Sequence, residues 1–185
     1  MDRQKAIKAV EDLLDALGQD RTREGLRETP RRVADAFAEL LSGEGQTAGE
    51  HLKRTFEARC DGLVIEKDIS FSSTCEHHLM PFFGKIAVAY VPDGKVVGLS
   101  KLARTVEVFS KRLQLQERLT RQIADEIMLR LRPRGVMVVC EAEHTCMTMR
   151  GIKKPGSKTV TLVATGVFQD NAELQNRFLA LVRQS

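Results

Sequence analysis

From Leu63 onward the hydrophobic period of this chain changes, and that change limits the folds open to it. Upstream, Ile7, Val10, Leu14 and Leu17 recur at helical spacing, and Gly18 stops the run. Thr29 followed by Pro30 predicts an N-cap with proline in the first turn of a second helix. Its apolar face is Val33, Phe37, Leu40 and Leu41, and Gly43 ends it. Residues 42–61 are polar, with several glycines, and read as a surface connection. Leu63, Ile65, Ile69 and Phe71 then alternate with polar neighbours, as a half-buried strand does. Gly84 to Val91 reads as a second strand, and Pro92-Asp93-Gly94 as the turn closing a hairpin.

Ser100 is expected to open a helix carrying Leu102, Val106, Phe109 and Leu113. Gln116 to Leu131 is a second helix, with Leu119, Ile123 and Ile127 inward and Pro133 ending it. Val136 to Cys140 and Thr159 to Val167 read as two further strands. Asp170 and Glu173 resemble a capping box for a last helix carrying Leu174, Phe178 and Leu181. Helices followed by ββααββ and one more helix define an α+β fold with an antiparallel sheet and two helices on one face. The expected organisation is a helical segment, residues 1–61, packed on a core domain, residues 62–185. A four-stranded sheet has two open edges, so pairing with neighbouring subunits is a natural outcome.

At 185 residues the chain has room for about one domain with its own core. With 42% apolar and 29% charged residues it reads as a folded, water-soluble protein. It has no tryptophan and one tyrosine, too few for an aromatic platform that stacks nucleic-acid bases. A net charge of +4 suits an anionic small molecule. The longest apolar run, Ile86 to Val91, is far short of the about 20 residues that span a membrane. The first residues carry acids inside the apolar pattern and are not read as a signal peptide. Four cysteines are too few for a disulfide scaffold and fit a reducing cytoplasm. There, the question about a cysteine is whether it binds metal or reacts.

Cys75 and His78 stand three apart in Ser73-Thr74-Cys75-Glu76-His77-His78, and both can reach one ion from a turn. A second pair, His144 and Cys146, follows the third strand. In extended chain such residues share a side. Cys75, His78 and Cys146 would give Zn²⁺ three ligands and leave a fourth position for water. His77 and His144 would then be unliganded imidazoles suited to proton transfer. Against this, cysteine is commonly a small core residue, and Cys60 and Cys140 read as that. A structural zinc site would show paired Cys-x-x-Cys knuckles, which are missing. Ser100, Lys101 and Arg104 put a hydroxyl and two cations at a helix start, where free N–H groups suit phosphate. Arg150, Lys153, Lys154 and Lys158 form a second basic loop around Gly151 and Gly156. Either group could equally be an ordinary solvated set of charges. Glu117, at the start of the second core helix, could accept two hydrogen bonds from a guanine edge or simply favour the helix dipole.

The stretches SSTCEHHLMPFFGK, VVGLSKLARTVEVFSKRLQLQERLT and EAEHTCMTMRGI closely resemble the GTP cyclohydrolase I family. The similarity runs from about Thr29 to the C-terminal helix. It implies a T-fold subunit, a toroidal homodecamer and active sites at subunit interfaces. It implies Cys75, His78 and Cys146 as zinc ligands, and His77 and His144 as acid/base groups. Ser100, Lys101, Arg104 and Arg150 match triphosphate and ribose contacts, with Arg32 a further phosphate contact. Glu117 matches the guanine anchor, with Gln116 beside it. Asp35 departs from the family pattern, standing where a basic residue is common. The reaction implied is hydrolytic opening of the imidazole ring of GTP, with His144 protonating the ring nitrogen. Formate is released, and the ribose rearranges to give 7,8-dihydroneopterin triphosphate. Ser100 and His77 would handle protons in the later steps. Two rivals are a T-fold nitrile reductase of 7-deazaguanine synthesis, which would need NADPH, and a non-catalytic nucleotide-binding zinc protein.

Overall fold

A computed structural model describes residues 1–58 and 62–184. The expectation for Cys60 lies outside them. The chain divides into two compact units, Met1–Ser42 and Gly43–Ser185.

The first unit is helical: α1 (Arg3–Ala16), α2 (Glu24–Arg27) and α3 (Thr29–Leu40). Asp2 caps α1 by accepting from the backbone N–H of Lys5 at 3.1 Å. Past the end of α1, Gly18 takes the left-handed φ of +68° that glycine adopts without strain. Thr29 is not the N-cap of α3. It is the first helical residue, and its hydroxyl donates to Gly25 O at 3.2 Å. The Asp35 carboxylate is gripped by Arg3, with Nε at 2.6 Å and Nη2 at 2.9 Å. That pairing holds Asp35 below the usual carboxylate range.

The second unit begins with α4 (Gly49–Leu52) and β1 (Thr55–Glu57), where the sequence predicted only surface chain. Ala48 and Leu52, four apart, are fully buried and anchor this segment to the core. The elements that follow are β2 (Val64–Cys75), β3 (Pro81–Val91), β4 (Lys95–Val97), α5 (Leu99–Ser110) and β5 (Leu113–Gln114). After them come α6 (Gln116–Leu131), β6 (Gly135–His144), α7 (Thr145–Thr148), β7 (Lys158–Gly166) and α8 (Ala172–Arg183). The main sheet has the order β5-β2-β3-β6-β7. Its two hairpins, β2–β3 and β6–β7, flank α5 and α6 in sequence, which is the ββααββ order of a T-fold.

Several local expectations are corrected. The turn at Pro92-Asp93-Gly94 does not return β3 on itself, because β4 pairs with β1 instead. Leu113 leaves the helix and, with Gln114, adds a short fifth strand parallel to the end of β2. Ser100 lies inside α5, whose N-cap is Gly98. The cap of α8 is Asn171, accepting from Leu174 N at 2.9 Å, rather than Asp170. Leu181, expected inward, is partly exposed.

Both faces of the sheet are covered. Ile86, Val88 and Tyr90 join Leu102, Val106, Leu119, Ile123 and Ile127 of the helices. Ala87, Ala89 and Met137 face Phe168 and Phe178 on the other side. Burial on both faces explains why β3 and β6 read as continuous apolar runs while β2 alternates. Gly84 permits a close approach of β3 to β6, since a Cβ there would sit 1.9 Å from Glu141 O. Among the described residues, no helix is long and apolar enough to cross a membrane.

Candidate active site

β2 delivers Cys75 at its last position, and the chain then turns within five residues to start β3. The Cys75 carbonyl accepts from His78 N at 3.3 Å and Leu79 N at 2.9 Å, while Cys75 N donates to Met80 O at 2.9 Å. Leu79 closes the turn at a φ of +54°, a conformation that side chains other than glycine seldom adopt. Glu76 braces the same turn. Its backbone N–H donates to Gln114 O at 3.1 Å, and its carboxylate pairs with Arg118. Arg118 also donates to Leu113 O at 2.7 Å and Gln114 Oε1 at 3.0 Å, so α6 and β5 hold the turn together.

Across from it, β6 runs through to His144, and α7 begins at Thr145. Cys146 therefore sits on a helical turn. The strand alternation that put it on the same side as His144 does not apply, yet the fold still brings it to Cys75. The ligand atoms of Cys75, His78 and Cys146 all lie within 4.8 Å of one another. Cys75 Sγ and His78 Nδ1 are 3.9 Å apart. Tetrahedral zinc, with bonds of about 2.3 Å to sulfur and 2.0–2.1 Å to nitrogen, sets such edges at roughly 3.6–3.8 Å. The donor set and its spacing fit that ion, and among the described residues no fourth side chain joins the group. Without metal the Cys146 thiol is pushed up, first by burial and then by the Cys75 thiol beside it. Arg150 reaches over the cluster, its Nη1 3.2 Å from His78 Nε2 and 3.3 Å from Cys146 O.

His144 is held on two sides. Its ring stacks on Phe82, with centroids 4.5 Å apart and planes 3° from parallel. Its Nε2 lies 2.8 Å from Gln116 Oε1. Burial lowers its pKa below the ordinary histidine value, and the Glu117 carboxylate opposes that shift. Glu117 is exposed, in the first turn of α6. Gln116 is buried, and its side-chain amide is engaged at both ends by groups of the chain itself. His77 is exposed, its ring edge-on to His78 at 6.1 Å. Cys140 is buried in the core, with its thiol pushed up to about 12 by burial, and takes no part in the cluster.

Ser100, Lys101 and Arg104 occupy the first turns of α5. No hydrogen bond or ion pair among the described residues ties their side chains to the metal ligands. Arg32, in the first unit, donates through Nη2 to Gly25 O at 2.9 Å and Thr29 Oγ1 at 3.1 Å. In the basic loop, Lys153 has a positive φ of 51°, and Lys158 pairs with Glu141 at 2.6 Å. Sequence reasoning missed Phe82, Arg118 and the partners of Gln116. These contacts join distant segments and leave no local spacing signal.

Three thiol and imidazole donors, with no fourth among the described residues and a held imidazole nearby, match a class: hydrolytic metal centres, rather than structural zinc knuckles. The family comparison is more specific. The sequence model for GTP cyclohydrolase I matches residues 6–183. A protein of Clostridium kluyveri named GTP cyclohydrolase 1 is 58% identical over 183 residues, covering 99% of each chain. Its namesakes in Clostridium perfringens and Streptococcus pneumoniae are 54% and 53% identical over 182 residues, covering 98% of this chain and 98% and 99% of theirs. Among solved structures, an archaeosine synthase QueF-Like protein in the apo form aligns with 56% of this chain and 93% of its own, at 20% identity and a TM-score of 0.46. This chain belongs to the GTP cyclohydrolase I family.

Proposed function

We propose that the protein hydrolyses GTP to 7,8-dihydroneopterin triphosphate and formate, the entry to pterin and tetrahydrofolate synthesis. The observation that carries this is the Cys75–His78–Cys146 group, with His144 held nearby, in a chain of this family. Zinc held by these three residues supplies an activated water near neutral pH. The remaining work falls to the protein. Glu117 accepts from the guanine N1–H and 2-amino group and so sets the base in place. Ser100, Lys101, Arg104, Arg150 and Arg32 hold the ribose and triphosphate; the triphosphate undergoes no chemistry, and its contacts position the base. His144 gives a proton to the imidazole nitrogen of the base as the ring opens. Ser100 and His77 move protons in the later rearrangement.

The same reading makes the protein a homo-oligomer, with a toroidal decamer as the expected form and sites completed between subunits. Strand β7 lies at the sheet edge and exposes Val160 and Leu162, which supports assembly through that edge. Sedimentation velocity tests this, and a monomer would overturn it. Free thiols at Cys75, Cys140 and Cys146 suit a reducing, cytoplasmic setting. The deciding experiment incubates zinc-loaded protein with GTP and follows formate and the fluorescence of the oxidised pterin. Stoichiometric formate is expected. GTP left intact by fully zinc-loaded protein would overturn the assignment.

A further inference from the structure

Gln116 is 2% exposed, and its amide has a single possible orientation. The amide nitrogen lies 3.0 Å from Cys140 O, 3.0 Å from Thr159 O and 3.2 Å from Thr161 Oγ1. The first two are carbonyls, which only accept. The third is left accepting by its neighbours. The Thr120 hydroxyl donates to Gln116 O at 2.8 Å, so across the 2.6 Å contact between the two hydroxyls Thr161 is the donor. Turning the amide over would set its oxygen against three acceptors. The nitrogen therefore faces β6 and β7, and Oε1 faces His144 Nε2 at 2.8 Å. An amide oxygen cannot donate, so the proton in that bond belongs to His144 Nε2. In the neutral ring the lone pair is then on Nδ1, which has no hydrogen-bond partner among the described residues. The stack on Phe82 fixes the ring plane.

We propose that Gln116 is a positioning residue for the ring-opening step: it holds His144 as the Nε2-protonated tautomer and leaves Nδ1 to take the proton shed by the water that adds to the ring and pass it to the ring nitrogen. Every proton in the set runs one way. Thr161 gives to Thr120, Thr120 to the Gln116 carbonyl, the Gln116 amide to β6 and β7, and His144 to the amide oxygen. The alignment of the imidazole is thereby fixed by the pairing of the two strands. The inference rests on the GTP-hydrolysing reading for its catalytic meaning, but the tautomer can be measured without turnover.

The test has two arms. In zinc-loaded protein with ¹⁵N-histidine, the signals of His144 are assigned by their loss in His144→Ala. A protonated Nε2 with a bare Nδ1 is expected, and the opposite tautomer would overturn the proposal. The second arm is Gln116→Met, which keeps the volume and removes both ends of the amide. Zinc content and KM should be little changed, while kcat falls about 10²-fold, within the about 10²–10⁴-fold that proton transfer contributes. The double variant with His144→Ala should be no slower than His144→Ala alone, because Gln116 acts through that ring. Unchanged kcat, a raised KM at full kcat, or a further loss in the double variant would each overturn the role. If His144→Ala turns over normally, the ring-opening assignment of His144 fails, while the nitrogen spectrum still decides the tautomer. If Gln116→Met does not fold, the nitrogen shifts of the parent protein alone support or overturn the proposal.

Discussion

Cys75, His78 and Cys146 differ from His144 in what they do with their lone pairs, and substitution separates the two roles. His78→Ala should lose zinc, because two thiolates hold the ion poorly. His144→Ala should keep zinc and lose about 10²–10⁴-fold in turnover. Metal analysis beside formate release checks both, and a zinc-free His144→Ala protein would mean the assignments are exchanged. The thiols add a pH dependence. Cys146 is raised above its ordinary 9.0 in the metal-free protein, so near neutral pH it is protonated and must release a proton to bind metal. Zinc occupancy at limiting free zinc should therefore fall as pH drops, with proton release measurable in weakly buffered titrations. The metal-free fold responds oppositely. Its raised thiol favours the protonated state, so its contribution to stability is complete below about 9 and is lost as pH climbs through the shifted value. Glu117 is exposed in the first turn of α6, and the proposed function makes it the group that reads the base. Glu117→Gln should cost GTP roughly 1–3 kcal/mol of binding, because an amide can turn a donor towards N1–H. Competition between GTP and ATP measures it.

Among the elements, β3 and β6 carry the site on a tight seam. Phe82 pairs with His144 and Gly84 with Ala142 in the same ladder. A methyl at Gly84 would meet Glu141 O at 1.9 Å, so Gly84→Ala must part the strands beside the imidazole. A loss of about 1–3 kcal/mol or more is expected, read from the urea midpoint. Elements with one dominant local signal were legible in the sequence. The helix Gln116–Leu131 shows helical spacing and a proline just beyond its end, and its bounds match. Elements made by tertiary pairing were not. Leu113 continues the apolar face of α5 in sequence, yet it is drawn into a strand by pairing with Thr74. Ala48 and Leu52 lie in a polar stretch and are buried only because the core receives them. The metal cluster was visible because Cys-x-x-His and His-x-Cys are short patterns. The bond from Gln116 to Thr161 was not, because the partners lie 45 positions apart.

At the scale of the molecule, the three metal donors all belong to the unit Gly43–Ser185. Two of them sit on one turn, while the third comes from beyond both core helices. An ion held there does more than present a reactive water, because it joins two distant points of the chain as a removable cross-link. For a covalent tie across about 70 residues, the entropy withheld from the unfolded chain is worth about 4 kcal/mol. Zinc acts as a clasp of the same reach, and one that can be opened without touching a covalent bond. Calorimetry of the zinc-loaded and chelator-treated protein should show a lower melting temperature for the stripped form. Restoring the ion should reverse the loss, provided the two thiols have not been oxidised in the interval. Metal supply would then set how long each folded copy persists, as well as how fast it works.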